Sequence, residues 1–357
     1  MSPLTQPRTL TTARGRRLAA LCLSAALIGA GTACSATGPT ASGAAKGSKM
    51  KLGLSMPTLN TPFFTVLVNQ ATAEAKAKGG KVVQTTNANR DASQQVNDFR
   101  NLIAAGANVI LAGVVDRAAI QPALDYAKSQ HVPVVIVDDA PAAGDVYAVV
   151  KADNEAMAVQ AADVLATKVP KNGKVLEIMG GLTTTNGQDR KSGFDKEFKK
   201  KAPGVKIIQQ SAEWDGPKSA NVMSAVLSST PGLNGVYLAT DTLYYEPVAA
   251  TLKARGRLAA VGQSGHLPMV AIDGGVESLN AIRKGYLDAT ISQPVLDYAK
   301  YGVDYLQDAL DGKKMKAGAS DHDSTVAKNG SYFIDELPAP VVTKKNVDDP
   351  ALWGNKS

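Results

Sequence analysis

The chain has 357 residues, 44% of them hydrophobic, which is enough to bury a large core and favours two domains over one. A charged fraction of 20% fits an ordinary soluble globular protein. The formal charge of +7 is concentrated in part at the N-terminus and does not argue for a nucleic-acid partner.

The first stretch with a pattern is "RGRRLAALCLSAALIGAGTAC". Arg14, Arg16 and Arg17 precede an apolar, small-residue run from Leu18 to Ala33. That run is too short for a stable membrane span and has the basic–apolar–small order of an export signal. Its end, "GTAC", resembles the lipobox of bacterial lipoproteins, which implies cleavage after Ala33 and acylation of Cys34. The cysteine count agrees. Of the two cysteines, Cys22 lies in the segment to be discarded, so the mature chain keeps Cys34 alone and forms no disulfide. Removing Arg8, Arg14, Arg16 and Arg17 from 39 basic residues leaves 35 against 32 acidic ones, a net of +3. Residues 34–49 are rich in Gly, Ala, Ser and Thr and read as a flexible tether.

From Met50 onward short apolar runs alternate with amphipathic stretches. Strands are expected at 51–56, 81–86, 108–114, 132–139, 147–153, 174–181, 206–214, 235–241, 268–273 and 287–293. Their near-continuous apolar centres suit parallel strands covered on both faces. Between them, 63–78 places Phe64, Leu67, Val68, Ala71 and Ala75 on one helical face, with Gly79 and Gly80 as the stop. In 91–105 Asp91 is placed to cap a helix whose apolar side is Val96, Phe99, Leu102 and Ile103. A third helix is expected over 117–130. The plan is a repeating βα unit, hence a doubly wound α/β fold.

In such sheets ligands bind beyond the carboxyl ends of the strands. The residues expected there are unusually acidic: Asp138, Asp139, Asp153 with Asn154, Asp241 and Asp273, with Gln293 after the last strand. "PTLNTPFF" (57–64) follows the first strand and falls in the same region. Adjacent side chains diverge on a helix or a strand, so Phe63 and Phe64 cannot share one core and one ring is expected to face the cleft.

Tools for catalysis are lacking. His131, His266 and His322 have neither metal spacing nor a linked nucleophile, and there is no nucleophile elbow or phosphate loop. "GGLTTTNG" (180–187) reads as a tight turn before a helix rather than an anion site, and "DHDS" (321–324) as a solvated loop. Asp138 and Asp139 point apart as strand-end neighbours, which does not suit the paired carboxylates of a glycosidase. Taken together, acids, amides, Arg190, Trp214 and the two Phe suit hydroxyl recognition and the apolar face of a sugar ring.

The stretches "PTLNTPFF", "VPVVIVDD", "KADN", "QDRKSGF", "AEWDGPKSANVMSAVL", "LATD", "VAIDGG" and "GYLDATISQP" resemble the ribose/galactose class of periplasmic binding proteins, which serve ABC importers. The resemblance runs from about Lys51 to the C-terminus. It implies the type I architecture of that family, two doubly wound lobes joined by three strands with ligand between them. It divides the chain into 50–152 plus 294–322 for the first lobe and 153–293 plus 323–357 for the second. It implies Phe63, Phe64 and Trp214 as ring contacts, and Asp138, Arg190, Asp273 and Gln293 as hydroxyl partners. Asp139 stands where ribose binders carry arginine, Thr61 and Thr240 where they carry asparagine, and Gly113 replaces another asparagine. Asp139 is therefore expected to select among ligands, with Thr240 and Asp241 beside it in the site.

The expected protein is an exported, lipid-anchored monomer that binds a monosaccharide or polyol by hinge closure. It uses no cofactor or metal, binds no nucleic acid, catalyses nothing, and hands its ligand to a membrane permease. The rival readings are the same fold holding a furanone signal, a nucleoside or an aminosugar, an exported hydrolase, and a transcriptional repressor. The last needs an N-terminal DNA-binding helix pair where this chain has its export signal.

Overall fold

The computed structural model describes residues 47–356, so the expected export signal and Cys34 lie outside the described residues. The chain opens with β1 (Lys51–Met56), α1 (Pro62–Ala77), β2 (Lys81–Asn87), α2 (Ala92–Ala104), β3 (Val109–Ala112), α3 (Gln121–Ser129), β4 (Val134–Val137) and β5 (Ala148–Ala152). Every residue of β3, β4 and β5 is buried, as strands covered on both faces require. Next come α4 (Asn154–Ala166), β6 (Lys174–Met179), α5 (Thr185–Lys201), β7 (Lys206–Ser211), α6 (Gly216–Ser229), β8 (Gly235–Leu238), α7 (Asp241–Ala254), β9 (Met269–Asp273), α8 (Val276–Lys284) and β10 (Ala289–Ser292). The chain closes with α9 (Val295–Leu310), β11 (Gly318–Ala319), β12 (Thr325–Asn329), β13 (Tyr332–Leu337) and β14 (Val341–Val342).

These strands build two sheets, ordered β11-β12-β13-β5-β4-β3-β1-β2 and β14-β10-β9-β8-β6-β7. Pairing is parallel except at β11, β12 and β14, which lie toward one edge of each sheet. The chain passes between the sheets three times, after β5, after β10 and after β13, which gives the expected two lobes and three connections. Helix α4 packs on β8–β10 and α5 in the second lobe, whereas α9 packs on α1 and β3–β5 in the first.

The division at the C-terminal end differs from expectation. The resemblance places residues 323–357 in the second lobe, yet Ile334–Leu337 of β13 pair in parallel with Val149–Ala152 of β5, and β12 pairs with β13. This segment completes the first sheet, and only from β14 onward does the chain join the second. The 321–324 loop is also not simply solvated. Nε2 of His322 lies 2.8 Å from Oδ2 of the buried Asp335, and its ring stacks at 3.6 Å on Tyr301.

Local chemistry accounts for the helix starts. Asp91 Oδ1 accepts from the amides of Ser93 and Gln94 at 2.7 and 3.0 Å, satisfying N–H groups that have no helical partner. Helix α1 starts with Pro62 at its first turn, where a missing N–H costs nothing. It buries Phe63, Leu67, Ala71 and Ala75, spaced by four. The core face therefore starts at Phe63, where the sequence pattern placed Phe64. Phe64 is half-buried one step round the helix.

Candidate functional site

The carboxyl ends of both sheets meet across a cavity of about 550 Å³. Five of its lining residues other than glycine, Arg90, Asp138, Glu213, Trp214 and Asp273, have positive φ angles of 64°, 71°, 55°, 62° and 126°. Left-handed backbone costs an L residue about 1–2 kcal/mol, and strain of this kind collects where side chains must be aimed.

Asp273, at the end of β9, is the hub. Its Oδ1 accepts from Gln293 Nε2 at 2.6 Å and from Arg190 Nη1 at 3.1 Å. Its Oδ2 accepts from the hydroxyls of Thr240 and, at 3.1 Å, Thr242. Arg190 comes from α5 and is 2% exposed. Its Nε donates to Asn154 Oδ1 at 2.7 Å and its Nη1 also to the carbonyl of Ala239 at 2.6 Å. Burial is the largest single influence and works against its charge, but Asp273, Tyr237, Asp138 and Tyr298 together outweigh it, and the guanidinium is held above its ordinary range. Nη2 makes none of these bonds, and Arg190 is among the residues that line the cavity. Gln293 is oriented in turn by the Tyr298 hydroxyl, which donates to its Oε1 at 2.7 Å.

On the first-lobe side Asp138 follows β4. Asn186 Nδ2 donates to its Oδ1 at 3.0 Å, and Asn154 Nδ2 donates to Asn186 Oδ1 at 2.8 Å. A continuous polar chain thus runs from Asp138 through Asn186, Asn154 and Arg190 to Asp273. Burial, and then the charge of Asp139, push the Asp138 carboxyl up to about 7.

The walls are aromatic. Trp214 leans on Gly180 and Gly181, where any Cβ would collide with its ring. The Arg190 guanidinium carbon lies 5.7 Å from the Trp214 ring centroid, within cation–π range. Facing it from the first lobe, Phe63 and Phe64 meet edge to face at 4.9 Å. Both touch the cavity, but Phe63 is 5% exposed and also packs edge-on against Tyr298 and Trp353. Phe64 is the more open ring. Beneath it, a Cβ at Gly113 would lie 3.2 Å from Phe64 Cε1 and 2.9 Å from Pro57 Cδ, so this residue clears space for the ring.

Phe63, Phe64, Asp138, Asp139, Arg190, Trp214, Thr240, Asp273 and Gln293 are therefore brought together around one cavity, while Asp241 is not. Its carboxylate accepts from the amides of Gly274 and Gly275 at 2.8 and 3.1 Å and from the Thr290 hydroxyl at 2.6 Å. It holds the turn that follows Asp273. Asp139 lines the cavity, but its Oδ1 is occupied by backbone amides of α5. That also fills the helix start in 180–187, which leaves no anion site there.

Sequence reasoning missed Asn186, Thr242, Arg90 and Trp353. The indole N–H of Trp353 donates to the Asp273 carbonyl at 2.8 Å, from a C-terminal stretch with no regular pattern. The Thr61 hydroxyl, also in the cavity wall, is buried without a hydrogen-bond partner among the described residues.

Two α/β lobes whose strand ends converge on a polar, aromatic-walled cleft define a solute-binding protein of the type I architecture. A family model for the periplasmic binding protein domain matches residues 52–314. The ribose import binding protein RbsB of Bacillus subtilis (strain 168) is 32% identical over 289 residues, which cover 80% of this chain and 90% of that protein. The xylitol-binding protein of Mycolicibacterium smegmatis is 26% identical over 319 residues, covering 89% and 82%. A solved ABC transporter solute-binding protein from Mycobacterium smegmatis, with bound glycerol, aligns with a TM-score of 0.72 at 25% identity. The alignment covers 84% of this chain and 96% of that one. The chain belongs to the periplasmic binding protein family, among its ribose-type sugar-binding members.

Proposed function

We propose that the protein is the extracytoplasmic substrate-binding component of an ABC sugar importer, taking a monosaccharide or polyol between its lobes. The observation that carries this is the joint presence, on one cavity, of the Asp273–Arg190–Gln293 cluster, Asp138, and the Trp214 and Phe64 rings. Carboxylates accept from vicinal hydroxyls, Arg190 Nη2 donates to them, and the rings cover the apolar C–H faces. Ligand contacts to both lobes form only when the lobes close, so ligand shifts the equilibrium toward the form a permease recognises. The activity is binding and release, without catalysis.

The relatives named for ribose and xylitol support a pentose or pentitol first, with hexoses and aminosugars next. Cys34, once acylated, anchors the body through the 34–49 tether to the outer face of the cytoplasmic membrane, and the protein acts as a monomer. A thermal-shift screen over pentoses, hexoses, polyols, aminosugars and nucleosides tests the reading. A ligand at 100 times its dissociation constant stabilises by about 2.7 kcal/mol. Stabilisation by a sugar or polyol is expected; stabilisation by a nucleoside alone overturns the ligand class.

A further inference from the structure

Helix α5 belongs to the second lobe, yet its first turns are fastened to the first. Asp139 Oδ1, beyond the end of β4, accepts from the amides of Thr185 at 2.8 Å and Asn186 at 3.3 Å, and from the amide of Ala140 at 2.9 Å. The Thr185 hydroxyl donates back to the Ala140 carbonyl at 2.8 Å. Lys151 of β5 donates to Asp189 at 2.8 Å, and Arg117 to Gln188 at 2.7 Å. Asp139 is 4% exposed and Lys151 3%. These contacts fall on residues 185–189, immediately before Arg190, the guanidinium that reaches the cavity.

We infer that Asp139 is an interlobe latch: its carboxylate caps the opposite lobe's helix α5 and thereby sets how firmly the cleft shuts and where Arg190 comes to rest. It is a positioning residue, and this replaces the expectation that Asp139 ranks ligands. When the lobes part, the free amides of the first helical turn and the carboxylate both return to water, so the bonds count only in the closed form. A carboxylate at a helix start is favoured by the local dipole as well as by the hydrogen bonds. Oδ1, which makes all three of these bonds, is taken up by the latch rather than by a sugar hydroxyl. A latch acting through Oδ1 weakens every ligand alike when it is lost.

The inference uses the proposed function for its affinity readout only; lobe closure itself is measurable without ligand. The test places one dye on each lobe of the full chain and reads the closed fraction by single-molecule energy transfer, without ligand and with each binder from the screen. Asp139→Ala should lower the closed fraction and weaken all binders by the same factor, about tenfold, leaving their order intact. Asp139→Asn, which keeps the acceptor oxygen, should recover part of the loss. Thr185 is the first helical residue of α5, a position that accepts proline because its N–H has no helical partner. Thr185→Pro, which removes the Thr185 amide together with the hydroxyl's bond to Ala140, should therefore lower the closed fraction in the same direction without unfolding the helix, and the two combined should cost less than the sum of their separate losses. Thr185→Val keeps the amide and isolates the hydroxyl's share. A changed ligand order in Asp139→Ala, or an unaltered closed fraction in both Asp139→Ala and Thr185→Pro, overturns the latch. If no sugar or polyol binds the parent, the ligand reading fails while the closed-fraction measurement still decides the latch.

Discussion

Gly180 is the most informative single position outside the polar cluster, because it lies directly under Trp214. Its backbone is not in the left-handed region, so alanine adopts the same conformation and only the added methyl is at issue. A Cβ there would lie 2.5 Å from Trp214 Cζ3 and nearer still to Cζ2 and Cη2. Carbon atoms rest about 3.5–4.0 Å apart, so the ring must move by roughly 1 Å or more. The Trp214 backbone is pinned by its N–H donating to the Tyr244 hydroxyl at 2.8 Å, so the side chain swings while the chain stays. If the ring covers about 70 Å² of ligand, losing that contact costs about 1.8 kcal/mol, or roughly 20-fold in affinity. Titration calorimetry with the best ligand measures this directly. Intrinsic fluorescence locates the cause, because the chain has two tryptophans and the other, Trp353, is 2% exposed and should not shift. In a Trp214→Ala background the Gly180→Ala change should have no further effect on affinity. Unchanged affinity in Gly180→Ala alone, or equal losses in both backgrounds, refutes the reasoning that Trp214 forms the second-lobe wall of the site.

Three further outcomes are expected. Asp273→Ala strips the buried Arg190 of its carboxylate, and breaking a buried pair costs about 3–5 kcal/mol, so thermal unfolding of the ligand-free protein should fall by several degrees and binding should be lost; a wild-type Tm argues against the hub. Glu177 is fully buried on β6 with Oε1 unpartnered among the described residues, and burial above all pushes its carboxyl up to about 8. The folded state thus holds its proton more tightly than the unfolded one, whose carboxyl titrates near its ordinary value. Its contribution to stability is full below about pH 4 and is lost as pH rises toward 8. Glu177→Gln should raise Tm relative to the parent at pH 9 and leave it nearly unchanged at pH 4, and parallel Tm–pH curves would contradict this. Finally, Cys34→Ala should move the protein from the membrane fraction to the soluble exported fraction; a parent that is already soluble rules out the lipid anchor.

What the sequence determined by itself is what local chemistry controls. Apolar runs ending in Asp or Gln marked the strands and their carboxyl ends, because a buried strand must be apolar along its length and polar where it emerges. Asp91 was recognisable as a cap because its two amide partners lie two and three residues away. The grouping of Asp138, Arg190, Trp214, Asp273 and Gln293 followed from strand-end position together with family resemblance. Tertiary structure decided what each of those residues touches. Asp139 and Asp241 both read as acids at strand ends, yet one fastens amides 46 and 47 residues away and the other amides 33 and 34 residues away. No local pattern encodes such partners. Phe63 and Phe64 are likewise indistinguishable in composition. The helical rotation of about 100° between neighbours, combined with the placement of Tyr298 and Trp353, buries the first ring and leaves the second to the cleft. The same holds for Thr325–Leu337, whose return to the first sheet depends on β5 presenting an unpaired edge of backbone N–H and C=O groups that some strand had to fill.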